Sequence, residues 1–476
     1  MDIQQRYKKA RQLLDSHNQS HLLKFWPELD IAQREKLLTQ IENLDFENID
    51  GWIEKYVKNS SSLLVPTNIS PAPFYPAIAA DANQQLEYDR ARQTGRELIA
   101  SGKVAAFVVA GGQGTRLGYD GPKGNFPVSP IRKKTLFRIF AETILATGKK
   151  YNRPLHWYIM TSPINHADTI EIFEKNDYFG LDKKNIFVFQ QGTMPNFDLN
   201  GRILLSAKDD IACSPDGHGG SLKALYASGA IKNMKKRGIE FISYFQVDNP
   251  LINIFDTLFI GLHSWAGAQM SSKTLIKAGA KEKVGNFCLA DGKVSVIEYS
   301  DLSDKLAERK NSDGTLIFSL GSIAIHIISV NFIEQLNSSG FALPIHRAVK
   351  KIPHLDENGE VVTPQKPNGV KLETFVFDAL PLGAKSIILE TRRSEEFAPV
   401  KNAEGADSPE VTHRMMIDRA AGWLASAGID IPKKSDGSVD CDIEIAPSFA
   451  IDKEDVLVKK NLVPKPIKAA QQLYLA

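Results

Sequence analysis

The sequence predicts an α/β protein with a doubly wound, mixed and mostly parallel sheet, a helical N-terminal lobe and a small C-terminal lobe. Three observations support this class. Apolar residues recur at helical spacing through the first 60 or so residues. From residue 104 to about 395, short β-rich runs alternate with helical patterns, which is typical of sheets whose strands are joined by helices. Beyond about 405, one helix and one short alternating segment follow.

The N-terminal lobe is predicted over residues 1–95. Apolar residues at helical spacing run from Leu13 to Trp26 and from Leu37 to Leu44. The stretch Ser60–Ala82 is rich in Ser and Pro and predicts an extended segment or linker. A further helix over Asn83–Ser101 leads into the central domain.

The central domain is predicted over residues 96–405, with helices that include Thr135–Thr147 and Gly220–Met234. Ligands on doubly wound sheets bind beyond the carboxyl ends of the strands, so residues that follow strands are candidates for the site. Apolar, β-rich runs predict strands at Val104–Ala110, Leu155–Thr161, Asn185–Gln190, Phe241–Val247, Thr274–Ala278, Val294–Glu298, Leu316–Ile328 and Ser386–Leu389.

The C-terminal lobe is predicted over residues 406–476, where a helix at Val411–Ala427 precedes an alternating segment at Val439–Pro447.

Composition argues against nucleic-acid and membrane partners. The chain of 476 residues carries 58 Lys and Arg against 56 Asp and Glu, a net charge of +2, so any anion binding must be local. It has no apolar run of transmembrane length and no signal-peptide core, and we expect a cytoplasmic protein, a monomer or weak homo-oligomer. The cysteines at 213, 288 and 441 match no zinc or disulfide pattern and are expected to be small buried hydrophobes.

A glycine-rich loop over residues 111–118 is the most informative segment. It follows the predicted strand Val104–Ala110. Glycines let the backbone approach a ligand and turn its N–H groups inward, which suits a phosphate. Arg116 and Lys123 can add positive charge to the same phosphates. The loop therefore predicts an enzyme that handles nucleotides.

Two common phosphate motifs do not fit this loop. A P-loop needs Gly-Lys-Ser/Thr at a fixed spacing, which is missing here. A Rossmann fingerprint that starts at Gly112 would need its third glycine at Leu117, but the glycine comes one residue later, at Gly118. This spacing also disfavours an NAD-linked oxidoreductase. A plain strand-to-helix turn explains the glycines, the arginine and the nearby Pro-Lys-Gly poorly.

Asp248 follows the predicted strand Phe241–Val247. A single carboxylate at a strand end suits Mg²⁺, which keeps several waters and needs few protein ligands. From the residues alone, a turn or a helix N-cap is an equally good reading.

Further motifs follow the glycine-rich loop in order along the chain. They are Pro122–Gly124, Trp157–Ser162, Phe189–Gly192, Ser214–Gly220, Val247–Asn249, Ile297–Ser300, Lys366–Lys371, Phe375–Asp378 and Pro399–Asn402. Together with the loop they resemble the eukaryotic-type UDP-sugar pyrophosphorylase family, and most closely its UDP-N-acetylglucosamine pyrophosphorylases. The resemblance extends from about residue 100 to 405.

The resemblance implies a Mg²⁺-dependent uridylyltransferase with the nucleotide-diphosphosugar transferase fold, which is Rossmann-like. Such enzymes convert UTP and a sugar 1-phosphate into a UDP-sugar and pyrophosphate, here most closely N-acetylglucosamine 1-phosphate. The central domain would then be the catalytic domain. The attacking oxygen belongs to a phosphate monoester, which is largely ionised at neutral pH because its second pKa is about 6, so no general base is expected.

The resemblance also assigns roles to individual residues. Arg116 is expected at the leaving pyrophosphate, Lys123 at the α-phosphate and Lys401 as a second lysine at the phosphates. Nucleotide-binding positions are Gly111, Gly112, Gly114, Thr115, Gln191, Gly217 and Asp248, and Asp248 is also the expected metal ligand. Sugar-binding positions are His218, Gly285, Glu298, Ser322, Phe375 and Phe377.

Two sugar-facing positions depart from the pattern of the N-acetylglucosamine members. His218 and Ser322 stand where those members have Asn, and the Gly-His-Gly form is similar to UDP-glucose and broad UDP-sugar pyrophosphorylases. Glucose or galactose 1-phosphate therefore stays open as the substrate, and His218 is alternatively a loop residue. A non-catalytic protein that binds nucleotide sugars is a further alternative. A binder would not need Arg116, Lys123, Asp248 and Lys401 together.

Overall fold

The computed structural model describes residues 2–59, 66, 68–340 and 343–476. The chain forms two compact units. The smaller contains Met1–Leu64, Gly192–Gly220 and Ala342–Asp378, and the larger contains the rest. The predicted lobe boundaries at 95 and 405 stay predictions. Within the predicted linker, Ser60–Val65 and Thr67 lie outside the described residues.

The larger unit is built on a mixed sheet, which confirms the predicted α/β class. Four strands lie side by side in parallel, in the order Phe241–Gln246, Val104–Val109, Trp157–Thr161 and Ile186–Gln190. On the other side of Phe241–Gln246, the sheet continues with antiparallel neighbours, Leu320–Ser329, Gly285–Ala290 and Ile69–Ser70. Off this path lie Met270–Ile276, Lys293–Ile297 and Ile388–Glu390.

Helices join the strands of the larger unit. The helix Leu136–Lys150 begins at Thr135, whose hydroxyl accepts the N–H of Arg138 at 3.3 Å, and its buried face includes Phe137 and Phe140. The other helices are Ala82–Ala100, His166–Lys175, Gly220–Ala227, Ala230–Lys236, Thr257–Ala266, Asp304–Ala307, Val330–Ser338, Arg393–Glu396, Pro409–Ser426 and Lys453–Lys459. Short 3₁₀ turns lie at Thr115–Leu117, Lys123–Asn125, Asp177–Gly180, Lys183–Asn185 and Lys460–Leu462.

Several predicted elements differ from the structure in their limits. The predicted helix Gly220–Met234 is wrong as one element, because Gly229 adopts a left-handed φ of 79° and separates two helices. The predicted strand Leu316–Ile328 begins only at Leu320. The strand Gly285–Ala290 was not predicted, since nearly all of its residues are buried and no alternation of apolar and polar residues marks it.

The C-terminal part of the larger unit has an apolar cluster of its own, around Leu424, Ile443 and Leu473. The strand Asp442–Ile445 pairs in parallel with Gln472–Leu475. Among the described residues of the whole chain, no helix combines the length and apolar character needed to cross a membrane.

The smaller unit packs the N-terminal helices on strands that come from later in the chain. Its helices are Ile3–Ser16, Ile31–Glu42 and Phe46–Trp52, with shorter helical turns at Ser20–Leu23, Trp26–Glu28 and Ile53–Lys58. A three-stranded sheet orders Ile345–Lys350, Gly369–Thr374 and Phe197–Asp198. Smaller strand pairs are Thr193–Pro195 with Cys213–Pro215, Leu205–Ala207 with Asp210–Ile211, and His354–Leu355 with Val361–Val362. The helical N-terminal prediction is confirmed, whereas its partner strands were not predicted.

Candidate active site

Three parallel strands of the larger unit end next to one another at the candidate site. Val104–Val109 runs into the glycine-rich loop, and Trp157–Thr161 ends just before Ser162. Phe241–Gln246 ends just before Asp248, on the other side of Val104–Val109. Because parallel strands end at the same edge of a sheet, the loops that follow them are neighbours.

Main-chain hydrogen bonds close the glycine-rich loop on itself. The N–H of Gly114 donates to the oxygen of Gly121 at 2.9 Å, and the N–H of Lys123 donates to the oxygen of Gly112 at 3.0 Å. Lys123 is therefore fixed beside the loop rather than free in solvent. The N–H groups of Gly111 and Gly112 donate to no backbone oxygen within the described part of the chain.

Gly114 differs from its expected role in one respect. The sequence suggested that its N–H faces the phosphates, but the loop itself uses this group. Gly114 shapes the loop, and only Gly111 and Gly112 of the three glycines keep backbone donors that could meet a ligand.

The side chain of Asn165 holds the glycine-rich loop in place by hydrogen bonds, a role that the sequence analysis did not predict. Its side chain is fully buried and donates to the oxygens of Ala110 and Gly112, at 2.9 and 3.2 Å. Its amide oxygen accepts the N–H of Ser162 at 2.9 Å. Asn165 thus ties the loop to the end of the neighbouring strand. The signal available in the sequence was a polar residue close behind a strand end.

The predicted phosphate-facing charges come together in the larger unit. Burial lowers the pKa of Lys123, the carboxylate of Asp248 opposes this shift, and the positive charges of Arg116 and Lys401 add to it. Four side chains from three distant parts of the sequence therefore interact electrostatically. Arg116 is exposed, while Lys123 and Lys401 are half-buried. With three cations and one carboxylate, this group carries a net positive charge that suits a multiply charged anion.

Lys401 reaches this cluster through the backbone of its own segment. The N–H of Val400 donates to the oxygen of Asp248 at 2.8 Å, which places Lys401 next to the strand end. The ammonium of Lys401 lies 3.7 Å from a carboxylate oxygen of Asp407 and 5.7 Å from the ring centre of Phe397. The backbone thus brings Lys401 close to the strand end that Asp248 follows, and its role at the phosphates stays a prediction.

Asp248 is the residue that could hold a metal ion here. Its side chain is 9% exposed and supplies hard carboxylate oxygens, which Mg²⁺ prefers. Across the described residues, His, Cys, Asp and Glu do not gather in threes or more as a metal site would require. The donor set therefore does not fit an ion held by protein alone. It fits Mg²⁺ that takes its remaining ligands from substrate phosphates and water.

Gln191, predicted to read the base, lies against the glycine-rich loop. Its side chain is 8% exposed, and its N–H donates to the oxygen of Thr161 at 2.8 Å. A Cβ on Gly111 would lie 2.5 Å from its amide oxygen. Gly111 and Gln191 are thus fitted to each other.

Three predicted sugar-binding residues meet elsewhere in the larger unit. Gly285 and Ser322 are partners on adjacent antiparallel strands. A Cβ on Gly285 would lie 3.5 Å from both a carboxylate oxygen of Glu298 and the Cβ of Ser322. The nearest atom to that Cβ would be Cγ1 of Val296, at 2.5 Å, so glycine at 285 makes room for the valine. Glu298 and Ser322 supply a carboxylate and a hydroxyl close by, groups that suit a polyhydroxylated ligand.

The other three predicted sugar-binding residues form an aromatic cluster in the smaller unit. His218 stacks on Phe375 with ring centres 5.1 Å apart, and Phe377 lies 5.8 Å from His218. His346, which was not predicted, packs on Phe375 at 4.0 Å and pairs with Asp378 at 2.7 Å. Without the resemblance, Phe375 and Phe377 read as alternating strand residues. Instead, Phe375 follows a strand and Phe377 lies in a 3₁₀ turn.

His218 is a neutral side chain with a defined tautomer. The N–H of Val376 donates to its Nδ1 at 3.0 Å, so the imidazole carries its proton on Nε2. Burial, and then the charge of His346, lower the pKa of His218 to about 4. At neutral pH, His218 therefore offers a hydrogen-bond donor without a charge.

Gly217 lies in a loop that encloses the backbone of Thr374. Its φ is +83°, and a Cβ would lie 2.3 Å from the oxygen of Thr374. The N–H of Gly219 donates to that oxygen at 2.8 Å, and the N–H of Thr374 donates to the oxygen of Asp216 at 2.8 Å. The loop therefore requires glycine at 217 for its shape, beside any role toward the base.

The chain is similar to known proteins over most of its length. The family model for UTP–glucose-1-phosphate uridylyltransferase matches residues 54–426. A UDP-N-acetylglucosamine pyrophosphorylase of Saccharomyces cerevisiae is 36% identical over 442 residues, which cover 88% of this chain and 91% of the yeast protein. A UDP-N-acetylhexosamine pyrophosphorylase-like protein 1 of Xenopus tropicalis is 36% identical over 436 residues, 88% of this chain and 84% of that protein.

A similar solved structure agrees with the fold. The crystal structure of the uridine diphosphate N-acetylglucosamine pyrophosphorylase from Trypanosoma brucei, in complex with an inhibitor, matches with a TM-score of 0.83 and 27% identity. The match covers 100% of this chain and 98% of that one.

Proposed function

Because the chain belongs to the UTP–glucose-1-phosphate uridylyltransferase family, we propose that it transfers the uridylyl group of UTP to N-acetylglucosamine 1-phosphate. The products are UDP-N-acetylglucosamine and pyrophosphate. A phosphate oxygen of the sugar 1-phosphate forms a bond to the α-phosphorus of UTP. The bond from that phosphorus to the bridging oxygen of the β-phosphate breaks, and no proton has to move.

The grouping of Arg116, Lys401 and Asp248 around Lys123 is the observation that carries this proposal. Two anions that repel each other must be held in line, and charge then builds on the leaving pyrophosphate. Lys123, whose backbone is held beside the loop by its bond to Gly112, is proposed to contact the α-phosphate with its ammonium. Arg116 neutralises the leaving pyrophosphate, and Lys401 supplies the second charge at the phosphates. Charged groups that already point to where negative charge develops in the transition state contribute much of an enzyme's rate enhancement.

Asp248 is the residue that would hold Mg²⁺. When bound, the ion neutralises phosphate oxygens and stabilises charge on the leaving group. The chain's own residues bind and orient the nucleotide. The N–H groups of Gly111 and Gly112 donate to the nucleotide phosphates, beside the hydroxyl of Thr115. Gln191 is proposed to contact the uracil. For Gly217, in the smaller unit, the role toward the base rests on the family resemblance.

The sugar is proposed from the relatives. Those from yeast and Xenopus are named for N-acetylglucosamine and N-acetylhexosamine, at 36% identity each. Glu298, Ser322 and Gly285, in the larger unit, are proposed to contact the sugar hydroxyls. For His218, Phe375 and Phe377, in the smaller unit, the proposed sugar-binding role rests on the family resemblance. Glu298 accepts hydrogen bonds in this role and His218 donates one.

Glucose 1-phosphate is the second candidate, and two residues favour it. His218 and Ser322 replace the Asn residues of the N-acetylglucosamine members. A neutral imidazole donor suits a hydroxyl acceptor, whereas an Asn amide can both donate to and accept from an acetamido group.

Steady-state rates with a panel of sugar 1-phosphates test the proposal. The purified protein is incubated with UTP and Mg²⁺, and pyrophosphate and UDP-sugar are both quantified. We expect equimolar products and the highest kcat/KM with N-acetylglucosamine 1-phosphate. Turnover of glucose 1-phosphate alone would replace the proposed sugar and retain uridylyl transfer. UDP-sugar binding without pyrophosphate release from any pair would favour a non-catalytic binding protein.

A further inference from the structure

Asn249 makes more hydrogen bonds than a turn requires. It follows Asp248 and is 5% exposed. A turn is served by one contact, in which its amide oxygen accepts the N–H of Leu251 at 3.3 Å. Two further bonds reach a segment almost 150 residues away. Its Nδ2 donates to the oxygen of Glu396 at 2.6 Å, and its Oδ1 accepts the N–H of Ala398 at 3.1 Å.

These two bonds fix the segment that carries Lys401. The next contact along the segment is the N–H of Val400, which donates to the oxygen of Asp248 at 2.8 Å. Residues 396, 398 and 400 are thus bound in succession to residues 249 and 248. The ammonium of Lys401 and the carboxylate of Asp248 both act on Lys123. Asn249 therefore links the segment that carries Lys401 to the strand end that carries Asp248.

The far end of the segment is anchored by buried charges. Lys273 is 1% exposed, and its ammonium lies 2.5 Å from Glu396 and 2.6 Å from Asp256. The hydroxyl of Thr391 donates to Glu396 at 3.0 Å. With Glu396 held in this way, its backbone oxygen is a fixed point for Asn249. The position of Lys401 then depends on the bonds that follow Glu396.

The amide at 249 makes both long-range bonds because it has a donor and an acceptor side by side. Asp has no donor at neutral pH for the oxygen of Glu396, and Ala can make neither bond. Both bonds lie in buried surroundings, where a lost partner is costly.

We infer that Asn249 is a positioning residue that sets Lys401 relative to Asp248, and through them the geometry of the phosphates. This inference rests on the proposed function. A misplacement of about 1 Å can cost roughly 100-fold in rate when groups must be aligned for phosphoryl transfer. Asn249 acts through Lys401, so its effect should vanish when the ammonium is absent.

A double-mutant cycle tests this inference. Wild type, Asn249→Ala, Lys401→Ala and the double variant are compared in kcat, with UTP saturating and the best sugar 1-phosphate of the panel. When Lys401 is present, we expect Asn249→Ala to lower kcat roughly 10- to 100-fold. When Lys401 has been replaced by Ala, the same substitution should lower kcat less than about threefold. Equal losses in the two backgrounds would overturn the inference, because a merely structural role predicts additive effects.

Asn337→Ala is the matched control for the loss of a side-chain amide. Asn337→Ala removes a half-buried Asn that donates to the oxygens of Leu222 and Ile333, at 3.1 and 2.8 Å, and it should show no coupling to Lys401. Should Asn249→Ala not fold, Asn249→Asp retains the size of the side chain and takes its place in the cycle.

The same proteins are titrated with UTP by calorimetry, so that coupling is measured without turnover. A wild type that binds UTP but releases no pyrophosphate would contradict the proposed function, while coupling in the dissociation constants would still support the role of Asn249. Additive effects on the dissociation constants would overturn that role.

Discussion

Gly111 and Gln191 are fitted so closely that a Cβ on the glycine would lie 2.5 Å from Oε1 of the glutamine. The same Cβ would lie 3.3 Å from the Cβ of Ser162. Neither contact can be kept without movement, and Gln191 is held at its own N–H by the oxygen of Thr161. Because residue 111 has no side chain, the amide of Gln191, the proposed uracil contact, can occupy this position.

Gly111→Ala should weaken UTP binding by displacing the side chain of Gln191. Gly279→Ala is the matched control, since a Cβ there would have nothing within 4 Å. We expect the KM for UTP to rise roughly tenfold in Gly111→Ala, about the value of one lost hydrogen bond, and to change much less in Gly279→Ala. Equal KM values in the two variants would contradict the fit between Gly111 and Gln191.

Asp248→Asn should shift the dependence of the rate on Mg²⁺. The substitution keeps the size of the side chain and removes its charge, which weakens a hard cation's ligand. Initial rates are measured over a series of Mg²⁺ concentrations. The variant should need a concentration at least about tenfold higher for half-maximal rate, corresponding to about 1.4 kcal/mol. An unchanged curve would remove Asp248 from the metal site.

His218→Asn should move sugar preference toward the N-acetylated substrate. Asn is the residue of the N-acetylglucosamine members, and its amide can accept as well as donate. We expect the ratio of kcat/KM for N-acetylglucosamine 1-phosphate over glucose 1-phosphate to rise several-fold, roughly 1 kcal/mol. A ratio unaffected by the exchange would show that His218 does not choose the sugar.

Buried neutral histidines should make the protein less stable as the pH falls. Burial lowers the pKa of His263 to about 3, and its ring contacts the hydroxyls of Ser271 and Ser329 at 2.7 and 3.3 Å. Between pH 3 and the ordinary value of 6.5, the unfolded chain binds more protons than the folded one. The free energy of unfolding therefore rises with pH across this window.

Urea unfolding at several pH values measures this dependence. The rise in stability between pH 5 and pH 7 should be shallower in His263→Gln than in wild type, because glutamine does not titrate. Parallel curves for the two proteins would contradict a neutral His263 in the fold.

The parts of the site that could be predicted are the residues that lie close in sequence to a recognisable strand. The glycine-rich loop, Lys123 and Asp248 each follow a recognisable strand. The supports of the site could not be predicted, because Asn165 contacts Ala110 across 55 residues and Asn249 contacts Glu396 across 147. Hydrogen bonds of this kind depend on tertiary packing, and local patterns carry no signal for them.

The fold shows the same division. Strands with β-rich apolar runs were predicted within a few residues of their observed limits. The smaller unit was not, since its core joins Leu37 and Ile41 of an N-terminal helix to Phe197 and Val370 from later strands. The break at Gly229 was missed because apolar residues continue at helical spacing on both sides of it.

The release of pyrophosphate by Lys123→Ala, compared with wild type, tests the central claim most directly. Both proteins are given saturating UTP, Mg²⁺ and the preferred sugar 1-phosphate, after thermal unfolding has shown that both are folded. Lys103→Ala, which removes a lysine paired with Glu240 on the surface, is the control. We expect kcat to fall by roughly 100-fold or more in Lys123→Ala, as when a charge that stabilises a transition state is removed, and to stay near wild type in Lys103→Ala. Undiminished turnover by folded Lys123→Ala would contradict the assignment of this cluster as the site of uridylyl transfer.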